Sequence, residues 1–196
     1  MASNNIEIEA KVLLSKRDYL KLLENMSFGE QVKIQNNYYL DSKDRVLKKY
    51  GMTVRLRQRE GKNKLTLKAP LAEGLLTKNQ ELSGSEANAL INNNLFPRGD
   101  TADFLDILHI DVNKLAILAT LTTERKEGTF EDFDINISKN SYSNIVDYEL
   151  ECDSDSVSNS QAALRDICQK YNIEYKINLL IILLFIKAFL IAIIQV

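Results

Sequence analysis

Histidine is nearly missing from this chain of 196 residues, with His109 its single example. That scarcity excludes the His-rich zinc constellations, and no C-x-x-C, H-E-x-x-H or Walker loop occurs. Nothing around His109 resembles a nucleophile elbow, so it is assigned no role. Cysteine is scarce too: Cys152 and Cys168 offer no disulfide framework. No signal-like apolar stretch opens the sequence, and a reducing cytoplasm is the expected location. An excess of positive charge is also lacking. The 25 Lys and Arg against 27 Asp and Glu leave a net charge of -2. No overall basic field attracts nucleic acid by counterion release, so nucleic acid is not an expected partner and any anion site must be local.

What is present suits a folded chain. Hydrophobic residues make up 45% and charged residues 27%, too apolar for disorder. The length suits one domain, read as residues 1–176, followed by an atypical hydrophobic tail at 177–196. Ile6 to Leu13 alternates, with Ile6, Ile8, Ala10 and Val12 on one face and Glu7, Glu9 and Lys11 on the other. Helical spacing from Ser15 to Met26 follows, with Ser15 and Asp18 placed as a capping box. Strands are predicted at Gln31 to Leu40, Met52 to Glu60, Lys64 to Lys68 and Leu75 to Leu82, with Gly61-Lys62-Asn63 as a hairpin connection. Ser83 to Asp111 reads as two short helices broken near Pro97 and Gly99. Three more strands, Ala116 to Glu127, Thr129 to Ser138 and Ile145 to Cys152, are expected, the first two joined at Gly128. A last helix is expected from Ser160 to Tyr171, with Ala163, Leu164, Ile167 and Cys168 as its apolar stripe. The fold class is therefore α+β, with about eight antiparallel strands and helices packed outside.

The polar faces carry both signs of charge. Arg55, Arg57, Lys64 and Lys68 fall on neighbouring strands. The i,i+2 pairs Glu7 with Glu9 and Glu149 with Glu151 fall on others, as do Lys11, Glu81, Arg125, Asp134 and Asp147. Two readings are open: solvated strand faces with charge pairs across the sheet, or the lining of a barrel whose interior is a charged tunnel. A tunnel of this composition suits a polyphosphate and its metal. Guanidinium and ammonium groups pair with phosphate oxygens, and each acidic pair can converge on octahedral Mg2+ or Mn2+. The lack of histidine ligands agrees with a hard metal.

Several segments then carry a resemblance. Glu7-Ile8-Glu9-Ala10-Lys11 resembles the E-x-E-x-K motif that opens CYTH domains. Tyr38-Tyr39-Leu40-Asp41, Arg55-Leu56-Arg57 and Lys64-Leu65-Thr66-Leu67-Lys68 are similar to the family's Y-Y-x-D/T, R-x-R and K-x-T-x-K segments. Glu81, Arg125, Asp134 and Asp147-Tyr148-Glu149-Leu150-Glu151 follow in the family's order. The chain thus resembles the triphosphate tunnel metalloenzymes, in particular the short bacterial CYTH proteins of Gram-positive type. The resemblance implies an eight-stranded tunnel in which Lys11, Arg55, Arg57, Lys64, Lys68 and Arg125 cradle a small triphosphate. It implies Mg2+ or Mn2+ on Glu7, Glu9, Glu81, Asp134, Glu149 and Glu151, and catalytic roles for Lys11, Arg55, Arg57 and Arg125. The implied activity is metal-dependent hydrolysis of inorganic triphosphate, thiamine triphosphate or a nucleoside triphosphate. Adenylyl cyclase chemistry and a non-catalytic polyphosphate-binding module are the alternatives.

The ending departs from the family, which tends to close on a lysine-containing stretch. Residues 177 to 196 are rich in Ile and Leu, with Lys187 near the middle, and three readings are open: a tail anchor, a buried terminal helix, or an altered reading frame. Any membrane association is assigned to this tail, and the chain is expected as a monomer or homodimer.

Overall fold

A computed structural model describes residues 9–71 and 75–176, with the backbone alone for Glu9 and Leu75. The readings placed on Glu7, on the Glu9 side chain and on residues 177–196 lie outside the described residues. Among these, no helix is long and apolar enough to cross a membrane.

The elements follow in the order β1 (Glu9–Leu14), α1 (Lys16–Asn25), β2 (Lys33–Ser42), α2 (Val46–Lys49), β3 (Thr53–Arg59), β4 (Lys62–Pro70) and β5 (Leu75–Leu82). Then come α3 (Gly84–Asn93), α4 (Asp100–Ile107), a single 3-10 turn at Val112–Lys114, β6 (Leu115–Phe130), β7 (Phe133–Tyr142), β8 (Ile145–Asp153) and α5 (Val157–Lys170). The strands form an eight-stranded antiparallel sheet in the order β1-β8-β7-β6-β2-β3-β4-β5. The expected strand number and sense are present and agree with a barrel-like fold, and among the described residues the hydrogen-bonded order runs from β1 to β5 without closing.

The chain divides into two compact units, one holding the described residues up to Lys33 and from Thr123 on, the other Ile34–Thr122. In the first unit, α5 packs on β1 and β8. Its core joins Val12, Ile137, Leu150 and Cys152 from alternate strand positions to Leu22, Leu164 and Ile167 from α1 and α5. Period-two alternation puts these apolar residues on one side, which leaves Lys11, Glu149 and Glu151 on the other. In the second unit, Val54, Leu56, Leu65 and Leu67 of β3 and β4 pack with Leu47, Leu90 and Leu105 from α2, α3 and α4. The same alternation turns Arg55, Arg57, Lys64 and Lys68 to the opposite face.

The helices begin where the sequence supplies acceptors. Ser15 Oγ accepts from Asp18 N–H at the start of α1, and its hydroxyl donates to the Asp18 carboxylate at 2.6 Å. Ser83 and Glu86 form a complete capping box on α3. The break between α3 and α4 is fixed by Gln80, whose Nε2 donates to Arg98 O at 2.7 Å. A side chain at Gly99 would meet that nitrogen at 2.7 Å, and its φ of 128° also demands glycine.

Three local expectations need correction. The β3–β4 connection is the two-residue turn Glu60-Gly61, with φ of 51° and 74°, so Lys62 and Asn63 already belong to the strand. Both turn residues are left-handed, as a type I′ turn requires to match strand twist. Gly128 does not join two strands but lies inside β6, and the turn comes later, at Glu131 with φ of 53°. Glycine stands at 128 because Phe28 bridges to it, and a Cβ there would lie 2.6 Å from Ser27 O. Finally, α2 was not expected. The Asp41 carboxylate builds it by accepting from the N–H groups of Ser42, Leu47 and Lys48 at 2.8, 2.9 and 3.2 Å.

Candidate phosphate and metal site

An acidic set of candidate residues lies on the polar face of β1, β7 and β8 in the first unit. Strand register sets Lys11 opposite Glu151, and Glu151, Glu149 and Asp147 opposite Asn136, Ser138 and Asn140. Glu149 and Glu151 are 4% and 2% exposed and Lys11 is 7% exposed, so these charges are shielded from solvent. Glu151 accepts from Lys11 Nζ at 3.1 Å on one oxygen and from Arg125 at 2.5 Å on the other. Arg125 Nε donates to Ser138 Oγ at 3.3 Å, which fixes the guanidinium between β7 and β8. Burial of charge costs desolvation that only close pairing offsets. One carboxylate gripped by two cations meets that condition.

A second network centres on Asn140. Its Nδ2 donates to Asp147 and to Glu149, each at 3.0 Å, and its Oδ1 accepts from Thr123 at 2.8 Å. Tyr142 donates to the other Asp147 oxygen at 2.7 Å. Its phenol pKa is raised, by burial first and then by this bond to Asp147. One amide therefore holds two carboxylates of the same strand face in fixed positions. Asp134 is exposed at the far end of the ladder, opposite Asp153. It does not join the buried carboxylates.

A basic set lies in the second unit. Register places Arg57 between Asn37 and Lys64, and Arg55 between Tyr39 and Thr66. Lys68 lies opposite Thr53 on β3 and Thr77 on β5. All four basic side chains are half-buried. Burial lowers the pKa of Lys68, and the positive charges of Arg55 and Arg57 lower it further. That mutual repulsion marks a cluster of cations facing one region. Lys64 is paired in register with Glu81, which is exposed. Glu81 thus sits beside a cation of its own unit.

Beside the charged residues stand neutral ones: Ser138, Asn140 and Tyr142 hold Arg125, Asp147 and Glu149, and Asn37, Thr123 and Asn136 share their faces. Alternation groups the β7 members on one face with Asp134, but only register shows which charged group each one meets. Tyr38 packs against the second core and donates to Gln58 at 3.1 Å, and Asp41 caps α2, so part of the Y-Y-x-D segment is architectural. His109 is exposed at the end of α4.

These donors suit a hard divalent cation in kind. Carboxylate and amide oxygens are the right chemistry for it, and neither imidazole nor thiolate intrudes. Among the described residues no three His, Cys, Asp or Glu side chains are grouped closely enough to hold a metal. Glu149 and Glu151 thus fit as part of a set that needs further oxygen donors.

The CYTH domain family model matches residues 5–179. YjbK of Bacillus subtilis, a triphosphatase by assignment, is 31% identical over 175 residues, which cover 89% of this chain and 90% of YjbK. A crystal structure from Bacillus halodurans, of a protein assigned as an adenylate cyclase, superposes with a TM-score of 0.65 at 34% identity, covering 87% of this chain and 92% of that one. HpAC1 from Hippeastrum, assigned as an adenylyl cyclase and reported with a dominant triphosphatase activity, has a similar fold. Its TM-score is 0.68 at 18% identity, over 87% of this chain and 90% of that one.

Proposed function

This chain belongs to the CYTH domain family, and from that premise we propose that it is a metal-dependent enzyme hydrolysing a small triphosphate. The observation that carries the proposal is the segregation of charge. Four half-buried cations share the β3–β4 face, and two carboxylates under 5% exposed share β8 with Lys11 and Arg125 beside them. Ordinary solvated strands mix their charges and leave them in water.

Family membership implies a divalent metal, and Mg2+ or Mn2+ is the choice that suits oxygen donors. Glu149 and Glu151 would hold it together with Glu7 and Glu9, while the exposed Asp134 and Glu81 are kept as outer acidic positions. When bound, such an ion offsets phosphate charge and lowers the pKa of water. The remaining work falls to this chain's own groups. Arg55 and Arg57 present forked donors to phosphate oxygens, and Lys64 and Lys68 add point charges. Burial and then the charges of Arg55 and Arg57 lower the pKa of Lys68, and an arriving polyanion offsets that repulsion. Arg125 and Lys11 pair with Glu151, and in this proposal they also meet the charge that develops on the departing phosphate. Asn140 keeps Glu149 and Asp147 in place. We assign this work to residues 1–176, with the small triphosphate as partner. The cytoplasm is the proposed location, in keeping with two free, buried thiols whose pKa values burial pushes up to about 11.

The deciding experiment incubates the full chain with inorganic triphosphate, thiamine triphosphate or ATP, with Mg2+ or Mn2+, and separates the products. Orthophosphate release that stops on chelation is expected. In Glu149→Gln, release should fall about a hundredfold or more, with weaker Mn2+ binding by calorimetry. Cyclic AMP with pyrophosphate as the main product from ATP would replace hydrolysis by cyclisation. Undiminished release and Mn2+ binding in Glu149→Gln would sink the metal assignment.

A further inference from the structure

Asn37 of β2 lies directly opposite Arg57, and through Arg57 in one row with Lys64. It is 2% exposed, and its side-chain oxygen has no hydrogen-bond partner. Other amides of the same unit are satisfied: Asn36, Asn63 and Asn79 each accept through Oδ1, from Thr122, Gln58 and Thr66 at 2.8 to 2.9 Å. A buried acceptor without a donor is uncommon in native folds, because water has been stripped from it and nothing returned. Here the exception falls at the end of a row that continues with two cations.

The residue type narrows the explanation. Asn37 contributes no charge, so it is not there to neutralise Arg57. A third cation in the row would add repulsion, and a carboxylate would occupy the guanidinium. An amide avoids both. It also exchanges its oxygen for its NH2 by a half-turn that leaves its shape unchanged. The amide whose oxygen lacks a partner can therefore turn N–H donors toward an oxyanion. Cross-strand partners have Cβ atoms about 5 Å apart, so an oxygen gripped by Arg57 lies within reach of Asn37.

We infer that Asn37 is a phosphate-binding residue, donating from its amide to the phosphoryl group held by Arg57 and Lys64. The inference rests on the triphosphatase reading and adds a neutral contact to it.

The test uses the full chain, inorganic tripolyphosphate with Mg2+ in a calorimeter, and the thermal midpoint without ligand. Asn37→Leu keeps the volume and removes both polar atoms. It should bind tripolyphosphate about tenfold more weakly while its midpoint stays level or rises, since the orphaned oxygen is gone. Asn37→Asp keeps the shape but only accepts and should bind more weakly still. Affinities within about twofold of the unaltered chain in both variants overturn the inference. So does an affinity loss in both that merely follows a lowered midpoint, which would assign Asn37 to the fold. If the unaltered chain binds no tripolyphosphate, the functional reading fails and this inference with it. If the unaltered chain binds and only the variants do not, both stand.

Discussion

Lys68 shows how a residue can serve binding at the expense of the fold. Burial and the nearby Arg55 and Arg57 lower its pKa, which means that the folded chain holds this proton less firmly than the unfolded chain does. In the alkaline window between the folded and the ordinary lysine value, the unfolded state binds more protons, so stability rises with pH there. Below that window the repulsion is fully present. Lys68→Met should therefore raise the thermal midpoint at neutral pH while cutting phosphate release by about a hundredfold. Calorimetric melting and a product assay read the two effects separately, and a lowered midpoint with full activity would reverse the reading. The charged positions were legible in the sequence because alternation and family-like spacing both select them. The neutral hydrogen-bonding partners were not. Asn140, for instance, has no net charge and gains its meaning only when register sets it opposite Asp147, which a single strand's pattern does not reveal.

Elements were read well where periodicity was long and badly where a single side chain decides. The strands of β3 and β4 and the helix α5 follow from alternation and from a 3.6-residue stripe. The short α2 does not. Its four residues are too few for a periodic signal, and the carboxylate that organises it lies upstream in β2. Asp41→Ala should cost about 2 to 3 kcal/mol, because a charged acceptor is lost by several backbone donors at once. Urea unfolding would measure the loss, and a change under about 0.5 kcal/mol would show that α2 holds without its cap. The β6–β7 turn was misplaced for a related reason. Gly128 resembles a turn residue in isolation, yet it serves the close approach of Ser27, a contact about a hundred positions away in sequence.

At the scale of the whole molecule, the two hydrophobic clusters contain no residue in common. Leu56 and Leu150 are each 0% exposed, one in each cluster. Replacing either with alanine should cost about 2 to 5 kcal/mol, and the double replacement should equal the sum within about 0.5 kcal/mol. Denaturant melts of the set would check this, and a large shortfall would reveal a shared unfolding step. The class and strand number of the fold were legible because eight alternating segments were. The division into two units was not, since it falls within a strand and carries no linker composition. That placement reaches beyond stability. The 16-residue β6 starts in one unit and ends in the other, the division passing between Thr122 and Thr123. Each unit thus owns half of a continuous strand. A chain cut there leaves β1 on one fragment and its partner β8 on the other, so segments exchanged at that point would part strands that belong to one ladder.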